Sequence, residues 1–122
     1  MRPGIYRRDE ISLEWGTIGT GATNVAPSTD TEIDCRNAKA IIIQVDQSST
    51  TYPGNNTDIN VITRSEGATT YDNVPFTSTT VASASVESFT VEPAGFAYMK
   101  LRADNNDTSN LCAPKVIVQI VG

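Results

Sequence analysis

The chain contains no histidine. That absence removes the commonest general base, and with it every Ser-His and Cys-His nucleophile pair. Cysteine occurs only at Cys35 and Cys112, and two thiols without a histidine leave a tetrahedral zinc site half empty. They read as small buried thiols in a reducing compartment, with a disulfide closing a long loop as the alternative. No P-loop, dinucleotide fingerprint or G-x-S-x-G turn occurs. The carboxylates are scattered through turns and strand ends, where sequence cannot pair them as a glycosidase pairs its two. No apolar run has the length to span a bilayer, and the N-terminus lacks the apolar core of a signal peptide. The expectation is therefore a chain made in the cytoplasm, with no enzymatic activity, cofactor, metal or membrane partner. Charge is sparse as well, at 19% of residues with a net −5. That balance argues against whole-surface binding to nucleic acid.

Ser, Thr and Asn stand where charge is missing, together with β-branched residues that suit a pleated surface. At 122 residues the chain is one domain and long enough to bury a core of its own. Turn clusters separate short stretches of period two. These predict strands near 31–35, 38–47, 58–64, 71–77, 86–91, 96–103 and 115–121. No stretch has the periodicity of an amphipathic helix. The expected fold is all-β, a single antiparallel β-sandwich of jelly-roll or immunoglobulin-like type. Ile41, Ile43 and Val45 mark its core face, as do Ile59 and Val61, Met99 and Leu101, and Val116, Val118 and Ile120.

Two features point outward from that core. Residues 1–16 carry dense charge, a Pro-Gly pair and the one Trp. They read as an extended N-terminal arm ahead of a sandwich over 17–122. Its apolar anchors Ile5, Tyr6, Ile11, Leu13 and Trp15 sit among Arg2, Arg7 and Arg8, a composition suited to docking on a partner. The second feature is a break in alternation. Ile42, Ile62, Tyr98, Ile117 and Val121 fall opposite the core face, where a solvated sandwich is polar. If they gather on one sheet they form a patch that needs cover, from the arm or from a neighbouring subunit.

The loop "ADNNDTSN", 103–110, is oxygen-rich and invites a comparison with calcium loops. The pattern fails at its sixth position, Ser109, where a glycine is needed, and at its twelfth, which is not Glu. A plain connection is the expectation, since Asp and Asn bond locally to turn backbone. Asn55-Asn56-Thr57 and Asn106-Asp107-Thr108 fit the glycosylation pattern by chance in an Asn/Thr-rich chain.

The stretches "DINVITRSEGATTYDNVPF", "VEPAGFAYMKLRADNNDTSN" and "KVIVQIVG" resemble small β-sandwich virion proteins of tailed bacteriophages. The resemblance spans residues 38–122 and is one of style. It implies a non-enzymatic structural protein located in the virion, such as a capsid decoration (cement) protein or a tail or neck component. Its partner would be a protein lattice, and homo-oligomerisation by closed symmetry would be expected. A carbohydrate-binding module is the rival, with Trp15, Tyr52, Tyr71 and Tyr98 as stacking candidates. Contact of Arg2, Arg7 and Arg8 with packaged nucleic acid is a third reading.

Overall fold

The computed structural model describes residues 8–122; 1–7 lie outside the described residues. Eight strands run in the order β1 (Arg8–Glu14), β2 (Ile33–Asp34), β3 (Ala40–Gln47), β4 (Thr57–Arg64), β5 (Thr77–Val81), β6 (Ser85–Val91), β7 (Tyr98–Asn105) and β8 (Lys115–Val121). There is no helix among the described residues, hence none long and apolar enough to cross a membrane.

The strands form two four-stranded sheets, β1-β8-β3-β6 and β2-β7-β4-β5, and every ladder is antiparallel. The pairs β1 with β8, β2 with β7, β3 with β6 and β4 with β5 nest inside one another. This winding is the jelly roll, and it settles the choice the alternation alone left open. Val45, Ile43 and Ile41 from β3 and Val116, Val118 and Ile120 from β8 face Ile59, Val61, Met99 and Leu101 from the other sheet. All are buried, as the period-two reading of those strands expects.

Residues 8–16 depart from expectation. Over 8–14 the chain is a full strand, in register with β8 from Arg8↔Val121 to Glu14↔Lys115. Leu13 and Trp15 are each 4% exposed and belong to the chain's own core. The Trp15 indole N–H donates to the Val25 carbonyl at 2.8 Å. A separate arm thus cannot include 8–16, because its two largest anchors are already buried against the sandwich. The alternation of Ile11, Leu13 and Trp15 is that of this strand: Glu10 and Glu14 occupy its solvent face while Ile11 and Leu13 face inward. The expectation for 71–77 also shifts. The strand begins only at Thr77, after Pro75, which has no N–H to donate to a ladder.

One end of the sandwich is polar inside. Gln47 Nε2 donates to the Gly54 carbonyl and to Thr57 Oγ1 at 2.8 and 2.9 Å. Asn105 Nδ2 donates to the carbonyls of Ile18, Gly19 and Asn110. Gly54 lies against Cys112 so closely that a Cβ there would stand 2.5 Å from the Cys112 Cβ, so no larger residue fits. Cys35 and Cys112 are both buried and form no disulfide, and burial pushes the Cys112 thiol up.

Candidate interaction surfaces

The two sheets turn very different faces to solvent. On the outside of β2-β7-β4-β5, the residues ahead of and within β2 place Asp30, Glu32 and Asp34 at alternate positions. Opposite them stand Lys100 and Arg102 of β7 and Arg64 of β4. Arg102 holds Asp30 at 2.8 Å and Lys100 reaches it at 3.4 Å. Arg64 makes a two-pronged contact with Glu32, both nitrogens at 3.1 Å. Arg36 donates to Asp34 at 2.8 Å and to Glu66 at 3.2 Å.

The tyrosines complete this layer. Tyr98 lies under two guanidinium groups, with the Arg64 and Arg36 carbons 4.1 and 5.3 Å from its ring centroid. Lys100 Nζ stands 5.0 Å from the Tyr71 centroid, and the Tyr71 hydroxyl donates to Glu32. Donation by Arg64, then by Tyr71, holds the Glu32 carboxyl below the usual carboxylate range. Burial pushes the Tyr71 hydroxyl up, and Glu32 adds to it. Burial alone would raise the Asp30 carboxyl, but the hydrogen bond and charge of Arg102, with Lys100, outweigh it and leave it lowered. Ile62 is half-buried at the floor of a depression of about 380 Å³ that it shares with Tyr71, Asp72, Asn73, Asn24 and Arg102.

The outside of β1-β8-β3-β6 is built otherwise. Register sets four rows across it: Arg8–Val121–Ala40, Glu10–Gln119–Ile42–Thr90, Ser12–Ile117–Gln44–Ser88 and Glu14–Lys115–Asp46–Val86. The two middle rows carry one charge, Glu10, at the rim, where it accepts from Gln119 Nε2 at 3.1 Å. The rest is amide, hydroxyl and isoleucine. Ile117 is 37% exposed and Val86 52%. A groove of about 570 Å³ runs along this face, lined by Ile117, Ser12, Glu14, Gln44, Asp46 and Lys115, with Ser28 and Thr29 at its side. A shallower depression lined by Ile42, Ile117, Gln44 and Gln119 adjoins it.

The residues singled out from sequence therefore do not form one patch. Arg2, Ile5, Tyr6 and Arg7 lie outside the described residues. Arg8 opens β1, Ile11 is a half-buried inward residue beside the core, and Leu13 and Trp15 are core. Ile42, Ile117 and Val121 share the open face of β1-β8-β3-β6. Ile62 and Tyr98 belong to the opposite sheet, where Arg64 and Arg36 lie over Tyr98 and Ile62 lines the depression beside Tyr71. Sequence reasoning missed Val86 and the amides Gln44 and Gln119; their signal was the alternation of β3 and β8, which puts each amide beside an outward isoleucine.

The loop 103–110 is closed on itself. The Asp107 carboxylate accepts from the backbone N–H groups of Ser109, Asn110 and Asn55, and the Asn110 amide adds a fourth donor. These donors lower the Asp107 carboxyl to about 2. Asp104 accepts from the Asn24 N–H and from Asn60 Nδ2. The side chains thus pin the connection to two neighbouring loops. Among the described residues no three potential ligands group to hold a metal ion.

Neither a family model nor a curated protein matches the chain. Solved structures do. The mitogen derived from Yersinia pseudotuberculosis aligns with a TM-score of 0.54 at 10% identity, covering 95% of this chain and 87% of that one. The BFDV capsid protein, solved as a decamer, aligns at 0.53 and 5% identity, covering 95% and 96%. Aeromonas hydrophila PliG, a periplasmic inhibitor of g-type lysozyme, aligns at 0.51 and 9%, covering 100% and 92%. Identities this low establish the shared sandwich alone. A mitogen, a capsid protein and an inhibitor on one fold place function in the surfaces grafted on it.

Proposed function

We propose that the chain is a non-enzymatic structural subunit of a bacteriophage virion, a capsid decoration (cement) protein that binds the shell. The observation that carries this reading is the open face of β1-β8-β3-β6. Its centre is nearly uncharged, it exposes Ile117 and Val86, and no described part of the chain covers it. Burying one such side chain against a partner contributes roughly 1.5–3 kcal/mol, and the flanking amides and hydroxyls offer directional bonds. The capsid protein among the similar folds and the resemblance of 38–122 to phage virion proteins support the same reading. Arg2, Ile5, Tyr6 and Arg7 precede β1 and are assigned here as additional shell contacts.

The rival, a carbohydrate-binding module, needs a free aromatic platform. Trp15 is core, Tyr98 lies beneath Arg36 and Arg64, and Tyr71 is tied to Glu32, which leaves Tyr52, 37% exposed, from that set. Mass spectrometry of purified virions from the phage that encodes the chain tests the proposal. The chain should be present at a fixed ratio to the major capsid protein and should stay with the heads when tails are removed. Its absence from virions overturns the proposal, and partition with the tails replaces the decoration role by the tail or neck role.

A further inference from the structure

We infer that the hollow between the loop 48–52 and the start of β8 is a binding subsite for a neutral saccharide, with Tyr52 as the surface on which one pyranose ring rests. The inference does not depend on attachment to a shell. The hollow lies at one end of the open face, beyond the groove, and shares only Asp46 and Lys115 with it. It holds about 550 Å³, inside the range of roughly 300–1,000 Å³ in which small-ligand sites fall. The loop that walls it is tied down by its own bonds. Asp46 accepts from the Ser48 N–H at 2.9 Å and from the Ser48 hydroxyl. The Tyr52 N–H donates to Ser49 Oγ at 3.1 Å. Two residues on, the Gly54 N–H donates to the Leu111 carbonyl and the Gly54 carbonyl accepts from buried Gln47, both at 2.8 Å. A wall ordered in advance spares a ligand that cost.

The side chains choose the ligand. Asp46 and Lys115 stand directly opposite one another across β3 and β8. One is an acceptor-only carboxylate, the other a donor-only ammonium. Donation by the Ser48 side chain, then by its backbone, holds the Asp46 carboxyl below the usual carboxylate range, so it stays ionised at neutral pH. One charge of each sign favours neither an anion nor a cation. Beside them Ser48, Thr50 and Thr51 line the hollow with hydroxyls that both donate and accept. Tyr52, 37% exposed, supplies the apolar element. Tyr71 and Tyr98 already carry cations over their rings. Among the described residues no cation and no second ring stacks on Tyr52. The matching ligand has no charge, many hydroxyls that donate and accept, and one apolar C–H face. A pyranose has all three: its C–H bonds lie against the negative face of an aromatic ring, while its hydroxyls reach the rim. One ring makes a weak subsite, short of the several-ring platform of a carbohydrate-binding module.

Amide-resolved NMR of the purified full-length chain, titrated with maltose, lactose and diacetylchitobiose in turn, tests this. The expected result is saturable shifts with at least one of the three, confined to the amides of 46–52 and 113–115. Glycerol, which has hydroxyls but no ring face, should leave those amides in place. Tyr52→Ala should weaken binding roughly tenfold or more, with a melting curve close to that of the parent, because the Tyr52 side chain lies outside the core. Tyr52→Phe keeps the ring and should bind within about threefold of the parent. Silence with all three sugars overturns the inference. Equal shifts with glycerol overturn it too, since they report polyol solvation of the loop. A Tyr52→Ala chain that binds like the parent removes the ring from the site and overturns it as well.

Discussion

The two outer faces of this sandwich differ in who completes them. On β2-β7-β4-β5 the chain does it alone: Asp30, Glu32 and Asp34 come from the segment leading into β2 and meet Lys100, Arg102, Arg64 and Arg36, with Tyr71 and Tyr98 as the spacers. Single surface ion pairs contribute little. Their geometric effect is larger, since they fix a loop and a strand edge across the sheet and leave few polar groups seeking partners. On β1-β8-β3-β6 the described loops reach only the side of the groove, at Ser28 and Thr29, and the isoleucines stand among hydroxyls and amides. A face that satisfies itself is a poor docking surface. The contrast separates Ile42, Ile117 and Val121, on the open face, from Tyr98, which lies beneath Arg64 and Arg36.

The comparison depends first on β1 belonging to its sheet, and removing it should give the largest effect. Deleting residues 1–16 takes away the full β1–β8 ladder together with Leu13 and Trp15. Trp→Ala substitutions in cores cost about 3–5 kcal/mol alone, a large share of the 5–15 kcal/mol typical of a domain. The truncated chain should show no cooperative thermal transition by circular dichroism. If it melts like the parent, β1 is a detachable arm after all, and the open face loses its border.

The self-completed face can be broken more gently. Ile62 sits opposite Lys100 and shares its depression with Tyr71 and Arg102. An aspartate there would find Lys100 as a partner, so Ile62→Lys is the sharper change. It adds a cation among Lys100, Arg102 and Arg64, and removes apolar contact under Tyr71. A loss of about 1–3 kcal/mol is expected in chemical denaturation of the isolated chain. An unchanged midpoint would show that the Tyr71 loop does not cover Ile62 and that the two faces are alike.

How much of this was legible follows from where the determinants lie in the chain. β3, β4, β7 and β8 alternate cleanly because each buries one face, so Ile41, Ile43, Val45, Met99, Leu101, Val116 and Val118 could be assigned to the core one by one. β5 was displaced because "TSTTV" has one large apolar side chain, Val81, and no alternation to read. β1 was taken for an arm because Glu10 and Glu14 on its solvent face continue the charge of the residues before it. The cover over Tyr98 was out of reach, since it comes from Arg36 and Arg64, both distant from it in the chain. One cue was present: acids at 30, 32 and 34 repeat with period two, and bases at 100 and 102 do the same. Two such ladders on neighbouring strands pair row by row.

The smallest effect on stability belongs to the residue that matters most for the proposed role. Ile117 lies at the centre of the open face, in the row Ser12–Ile117–Gln44–Ser88, with no carboxylate directly opposite. Ile117→Asp there loses some strand propensity but leaves the core untouched, so a cost of at most about 1 kcal/mol to the isolated chain is expected. Against a shell the same substitution does two things. It removes burial that contributes roughly 1.5–3 kcal/mol, and it leaves a desolvated carboxylate in the contact. Co-sedimentation with shells that lack the chain should therefore fall by at least tenfold, while the melting curve stays close to that of the parent. A variant that sediments with shells as well as the parent would remove the open face from the attachment surface and leave residues 1–7 as the place to look.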